Sequence, residues 1–127
     1  MTAPSKQIFV GEIADYWFEE EILISDSKSI KRTVENIRRN VELVKKITNN
    51  KRHPLLIYLK NSPVPNKETR RFSTEQLPAI YSAMAMVSKP GLAQFIMNIL
   101  FKFNSPPIPM KSFTDEKTAK EWLKQYL

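Results

Sequence analysis

The chain has 127 residues, 42% of them hydrophobic and 26% charged, the balance of one globular domain that buries a core without disulfide or metal staples. With no cysteine and a single histidine, His53, it excludes thiolate chemistry, iron–sulfur clusters and histidine-clustered metals, and with glycine only at 11 and 91 it holds neither a GxGxxG loop nor a P-loop. The net charge of +7 is unevenly spread: the first 26 residues carry six carboxylates against one lysine, while residues 28–52 carry nine Lys or Arg against two Glu.

Residues 7–26 predict an antiparallel hairpin. Ile8, Val10 and residues 12–18 form the first apolar run and Ile22-Leu23-Ile24 the second. Glu19-Glu20-Glu21 lies between them, without the Asn-Gly or Asp-Gly of a standard tight turn. Over residues 29–49, Ile30, Val34, Ile37, Val41, Val44 and Thr48 repeat at helical spacing, with Ser27 or Ser29 as the expected N-cap and Asn49-Asn50 as the stop. His53-Pro54 leads into a continuous apolar run, residues 55–59, which reads as a strand covered on both faces. Residues 61–66, with Pro63 and Pro65, form a loop at its carboxyl end, and a helix follows over 67–77, ending near Pro78. Residues 79–87 read as a further strand, and Ser88 as the N-cap of a helix reaching about Phe103. A proline-rich turn over 104–109 precedes a short strand, 110–113. Thr114-Asp115-Glu116 then opens a final helix with apolar face Ala119, Trp122, Leu123 and Tyr126. The order ββαβαβαβα predicts a single α/β domain over 1–127, with a mixed, mainly parallel sheet, an N-terminal antiparallel hairpin and about four helices.

This order, together with Tyr16-Trp17-Phe18-Glu19-Glu20, the central strand HPLLIYL at 53–59 and the stretch AMAMVSKPGLAQFIMNILFKFNSPPIPMKSFTDEKTAKEWL at 83–123, resembles the SpoIIAA-like domains, the group that includes STAS modules and small uncharacterised bacterial proteins. The resemblance covers nearly the whole chain. It implies a SpoIIAA-like sheet and a module that acts by binding partners or ligands, most members having no enzymatic activity of their own. In the anti-sigma-factor antagonists of this group a serine in an Asp-Ser-x-Gly motif after the central strand is phosphorylated as a switch. The corresponding loop here reads Lys60-Asn61-Ser62-Pro63-Val64-Pro65-Asn66-Lys67, which has a serine and lacks that motif.

Three surfaces are candidates for function. Lys31, Arg38 and Lys45, and likewise Arg32, Arg39 and Lys46, recur every seven residues and predict two basic rows along the first helix, with Glu35 and Glu42 between them. No aromatics are interleaved with these rows, which argues against nucleic acid and for a solvated face. In the helix from Leu92 to Phe103, one stripe of Leu92, Phe95, Ile96, Ile99 and Phe103 is expected to face the sheet. A second, of Ala93, Met97, Leu100 and Phe101, is expected to meet a second copy of the chain in a homodimer, and Gln94, Asn98 and Lys102 form the polar strip. The third candidate is a ligand or switch loop of Asn61, Ser62, Asn66, Lys67 and Arg70, placed to hold an anion where open α/β sheets bind ligands.

No catalytic residues, metal ligands or cofactor are assigned. Asp15, Glu19, Glu20 and Glu21 read as solvated hairpin carboxylates and His53 as structural. The expectation is a cytoplasmic, non-catalytic binding or regulatory module with a protein partner or a small apolar or anionic ligand. The alternative is peripheral binding to an anionic membrane surface through the basic helix and the Phe-rich helix.

Overall fold

A computed structural model describes residues 7–101 and 105–127. Six strands form one sheet in the order β1-β2-β3-β4-β5-β6, the order of the chain itself. The strands are β1 (Phe9–Val10), β2 (Ala14–Glu19), β3 (Ile22–Ser27), β4 (His53–Tyr58), β5 (Tyr81–Val87) and β6 (Met110–Phe113), and the helices are α1 (Val34–Ile47), α2 (Lys67–Ile80), α3 (Leu92–Phe101) and α4 (Glu116–Leu123). β1, β2 and β3 pair antiparallel, and β3 to β6 run parallel. This is the mixed, mainly parallel sheet read from the sequence, with the short edge strand β1 added to the hairpin.

Strand order explains the layering. Parallel neighbours joined by right-handed crossovers, each step moving the same way across the sheet, put every crossover helix on one face. Accordingly α1, α2 and α3 lie over a core built from Tyr16, Leu23, Leu55, Met84 and Met86. The opposite face carries Ile22, Ile24, Leu56, Ala83 and Ala85, and among the described residues α4 covers it with Ala119 and Leu123, joined by Tyr126 from the 3-10 turn that follows. Ala83, Ala85 and Ala119 have no exposed surface, and three such small side chains at one contact let the α4 axis come close to the sheet. Lys120 fixes α4 further, with ion pairs of 2.9 Å to Glu19 on β2 and 2.5 Å to Glu116.

The β2–β3 turn departs from the usual chemistry. Glu20 and Glu21 have φ of 51° and 67°, and Glu19 pairs with Ile22, so this two-residue turn needs left-handed backbone at both positions. Side chains at such positions are strained, by roughly 1–3 kcal/mol each. Replacing Glu20-Glu21 with Asn-Gly is expected to stabilise the chain by about 1–2 kcal/mol, measured as a higher urea midpoint at unchanged slope. A fall in the midpoint would show that the two glutamates hold the turn by contacts of their own.

Several element boundaries differ from the sequence expectation. The first helix begins at Val34, not 29, so neither Ser27 nor Ser29 caps it. Thr33 is the N-cap in a reciprocal box with Asn36: Asn36 N–H donates to Thr33 Oγ1 at 3.1 Å and Thr33 N–H to Asn36 Oδ1 at 2.8 Å. Asn49 and Asn50 do end it, at positive φ. The second helix passes through Pro78 to Ile80, because a proline in the last turn removes a single backbone donor. Residues 79 and 80 therefore belong to it and not to β5. Ser88 is not a cap: its N–H pairs with the Phe113 carbonyl, and α3 starts from Gly91 at φ 92°. Asp115 caps α4 as expected, accepting from Thr118 N–H at 2.8 Å. Gly11, the other glycine, sits where a Cβ would strike the Ala14 carbonyl and the Leu43 side chain.

Candidate functional site

The basic rows dissolve in three dimensions. Lys31 and Arg32 precede α1 and so leave the helical stripe. Arg38 pairs with Glu35 at 2.6 Å and stacks over the Phe72 ring. Arg39 forms a bidentate pair with Glu12, at 2.9 and 3.0 Å. Lys45 and Lys46 are exposed in the last turn, where they complement the helix dipole.

The two stripes of α3 do not divide between sheet and partner as expected. Ala93 is buried and Met97 packs on the core, so the surface expected to meet a second subunit instead holds α3 to its own sheet. Leu100 and Phe101 are half-buried, and the exposed aromatic is Phe95. A helix with two apolar stripes can seat either one, and here Ala93 and Met97 are the side chains that pack on the core. Gln94 and Asn98 do form the polar strip, bonded to each other at 3.0 Å, while Lys102 and Phe103 lie outside the described residues. α1 and α3 share one sheet face, as membrane docking requires, but Met97 is turned inward, and Arg38 and Arg39 of the basic rows are ion-paired.

Because Leu92, Ile96, Ile99 and Leu100 do not reach the sheet, a chamber of about 250 Å³ remains between α3, α2, the loop 60–65 and the carboxyl halves of β4 and β5. Ile57, Leu59, Met84 and Met86 form its floor, and Asn61, Ser62 and Arg70 stand on its wall. A second chamber of about 160 Å³ lies beneath α1 and α2, and the two share seven lining residues, Ser27, Arg32, Ser73 and Met84 among them. This inner chamber holds a polar cluster between aliphatic walls. Asn40 Nδ2 donates to the Tyr16 hydroxyl at 2.7 Å, and Ser25 and Tyr81 complete a buried network around that oxygen. Burial, in Tyr81 together with the neighbouring Tyr16, holds both phenols above their ordinary pKa. The Asn40 Oδ1 is buried without a partner among the described residues.

Of the loop residues expected to hold an anion, Asn61, Ser62 and Arg70 line the outer chamber, whereas Asn66 and Lys67 do not. Asn66 caps α2, its Oδ1 accepting from Thr69 N–H at 2.8 Å, which closes the helix terminus to an anion. The Arg70 guanidinium donates to the Pro65 carbonyl at 2.6 Å. The residue that sequence reasoning misplaced is Arg32. It is half-buried between the chambers, donating to the carbonyls of Lys28 (2.5 Å), Ile30 (2.8 Å) and Ile13 (3.1 Å). Desolvation lowers its pKa. Its position between Ile30 and Val34, both of the predicted apolar stripe, was the available signal.

Three of the residues considered for catalysis have structural partners. Asp15 pairs with Lys28 at 3.0 Å and Glu19 with Lys120, while His53 Nδ1 meets the Glu21 carbonyl at 2.9 Å and its ring lies edge-on to Phe18. Among the described residues no group of three His, Asp or Glu is disposed to hold a metal, and no helix is long and apolar enough to cross a membrane.

In fold the chain is similar to a crystal structure of an uncharacterised DUF3478-family protein with a SpoIIAA-like fold from Shewanella loihica PV-4, with a TM-score of 0.60 at 16% identity over 97% of this chain and 98% of that one. No curated protein matches the sequence. A family model matches residues 16–127, so the chain, a SpoIIAA-like α/β domain, belongs to the family described as a domain of unknown function, DUF7793.

Proposed function

We propose that this domain is a non-catalytic binding module whose ligand is a small, largely apolar molecule held in the outer chamber beneath α3. The observation that carries the reading is the chamber itself: about 250 Å³, walled by aliphatic and methionine side chains, at the carboxyl end of the central strands. Open α/β sheets bind ligands at that end, and natural sites combine apolar walls with a few polar groups. Met84 and Met86 on the floor are unbranched and adapt to the shape of a guest.

Native mass spectrometry of the chain purified from its own host tests this. The expected spectrum shows a small-molecule adduct that disappears in Ile96→Trp, a variant that fills the chamber from α3. An adduct that persists in Ile96→Trp would place the ligand elsewhere and overturn the reading.

A further inference from the structure

We propose that the ligand is an organic monoanion, a short apolar chain ending in a carboxylate, whose charge is met by Arg32 at the wall shared by the two chambers. This rests on the outer chamber being a ligand site, and adds to it the chemical class of the ligand.

Charge is the first ground. Arg32, Lys60 and Arg70 line the chambers and no Asp or Glu does. Lys60 already has Asp26 at 3.0 Å. Arg32 has no carboxylate partner among the described residues and is held by carbonyl dipoles alone. A half-buried cation without a counter-ion carries a desolvation cost, and an aliphatic side chain in its place would fill the wall without it. The guanidinium is therefore suited to an anion that arrives from outside.

Donor geometry is the second. Of the five N–H groups of a guanidinium, three are spent on backbone carbonyls, which leaves two without an acceptor among the described residues. Two donors match the two oxygens of a carboxylate. A phosphate, with more oxygens and more charge, calls for donors beyond this pair, and the neighbouring α2 terminus that could supply them is closed by Asn66. The hydroxyls of Ser27 and Ser73 stand on the same shared wall.

Size is the third. At roughly 30 Å³ per water-sized group, the outer chamber holds about eight non-hydrogen atoms. The eight carbons of an octanoate chain take up that volume, with the tail against Met84, Ile96 and Ile99 and the two carboxylate oxygens at Arg32 on the wall.

Calorimetric titration of the full chain with octanoate, octan-1-ol and octylamine compares three heads on one tail. Octanoate is expected to bind at least tenfold tighter than octanol, with octylamine weakest. In Arg32→Gln the preference for octanoate over octanol is expected to vanish, and in Ile96→Trp octanoate binding is expected to be lost. Octanol binding as tightly as octanoate overturns the charge assignment and leaves the apolar site standing. Octanoate binding that survives Ile96→Trp overturns the placement, and silence from all three probes overturns both this inference and the reading it rests on. Should Arg32→Gln fail to fold, the three-head comparison on the unaltered chain decides the matter.

Discussion

Leu123→Ala is expected to cost about 3–4 kcal/mol, the upper part of the range for a buried leucine whose surroundings relax only partly. Leu123 has no exposed surface and packs with Ala119 on Ile22, Ile24, Leu56, Ala83 and Ala85. On this face α4 supplies most of the cover among the described residues, and the alanines beneath it have no side chain that could swing into the vacated volume. The loss is a large part of the 5–15 kcal/mol available to a domain of this kind. Urea unfolding followed by circular dichroism should show a fall in midpoint at an unchanged slope. Leu127→Ala is the control: at 60% exposed, Leu127 should change stability by no more than about 0.5 kcal/mol. Equal effects at the two positions would mean that α4 is not seated as described.

Tyr16→Phe should cost about 2 kcal/mol. The hydroxyl lies on a residue only 2% exposed and accepts the Asn40 amide at 2.7 Å, with Ser25 and Tyr81 around it. Asn40 Oδ1 is already without a partner, so removing the phenol oxygen leaves the whole amide unsatisfied. Such a penalty belongs to the stranded group more than to the lost bond, and this supplies the check. The pair Tyr16→Phe with Asn40→Leu should recover most of the loss, because replacing both partners by apolar groups is nearly neutral. Simple additivity of the two single changes would show that the network is not the source of the effect.

Much of the fold was legible because it is written in local periods. The helical spacing of Ile37, Val41 and Val44, the unbroken apolar run of β4 and the Asp115 cap of α4 each follow from a few adjacent residues. What escaped depends on contacts between distant segments. The start of α1 is delayed because Lys28 and Arg32 bond back to residues 11–13, and the Thr33–Asn36 box takes over the cap. The orientation of α3 is set by the packing of Ala93 and Met97 on a core drawn from distant segments, and two stripes of similar hydrophobicity give no local means of choosing between them. The candidate site was legible only at the loop 61–70. Its chambers draw walls from strands, helices and a loop spread from Ile13 to Met110, and Arg32 became part of them only when it was found to lie off the helix.

The brevity of the outer strands bears on how concentrated solutions of this chain behave. β1 offers two residues and β6 four, with prolines at 106, 107 and 109 just before β6 and an exposed lysine, Lys111, within it. A chain approaching either border finds few free amides and carbonyls with which to extend a ladder, and proline and charge discourage the next strand from aligning. The long, strongly apolar strands β3, β4 and β5 are all interior. While the domain stays folded, its most amyloid-prone segments are therefore out of reach, and fibril growth has to wait for unfolding.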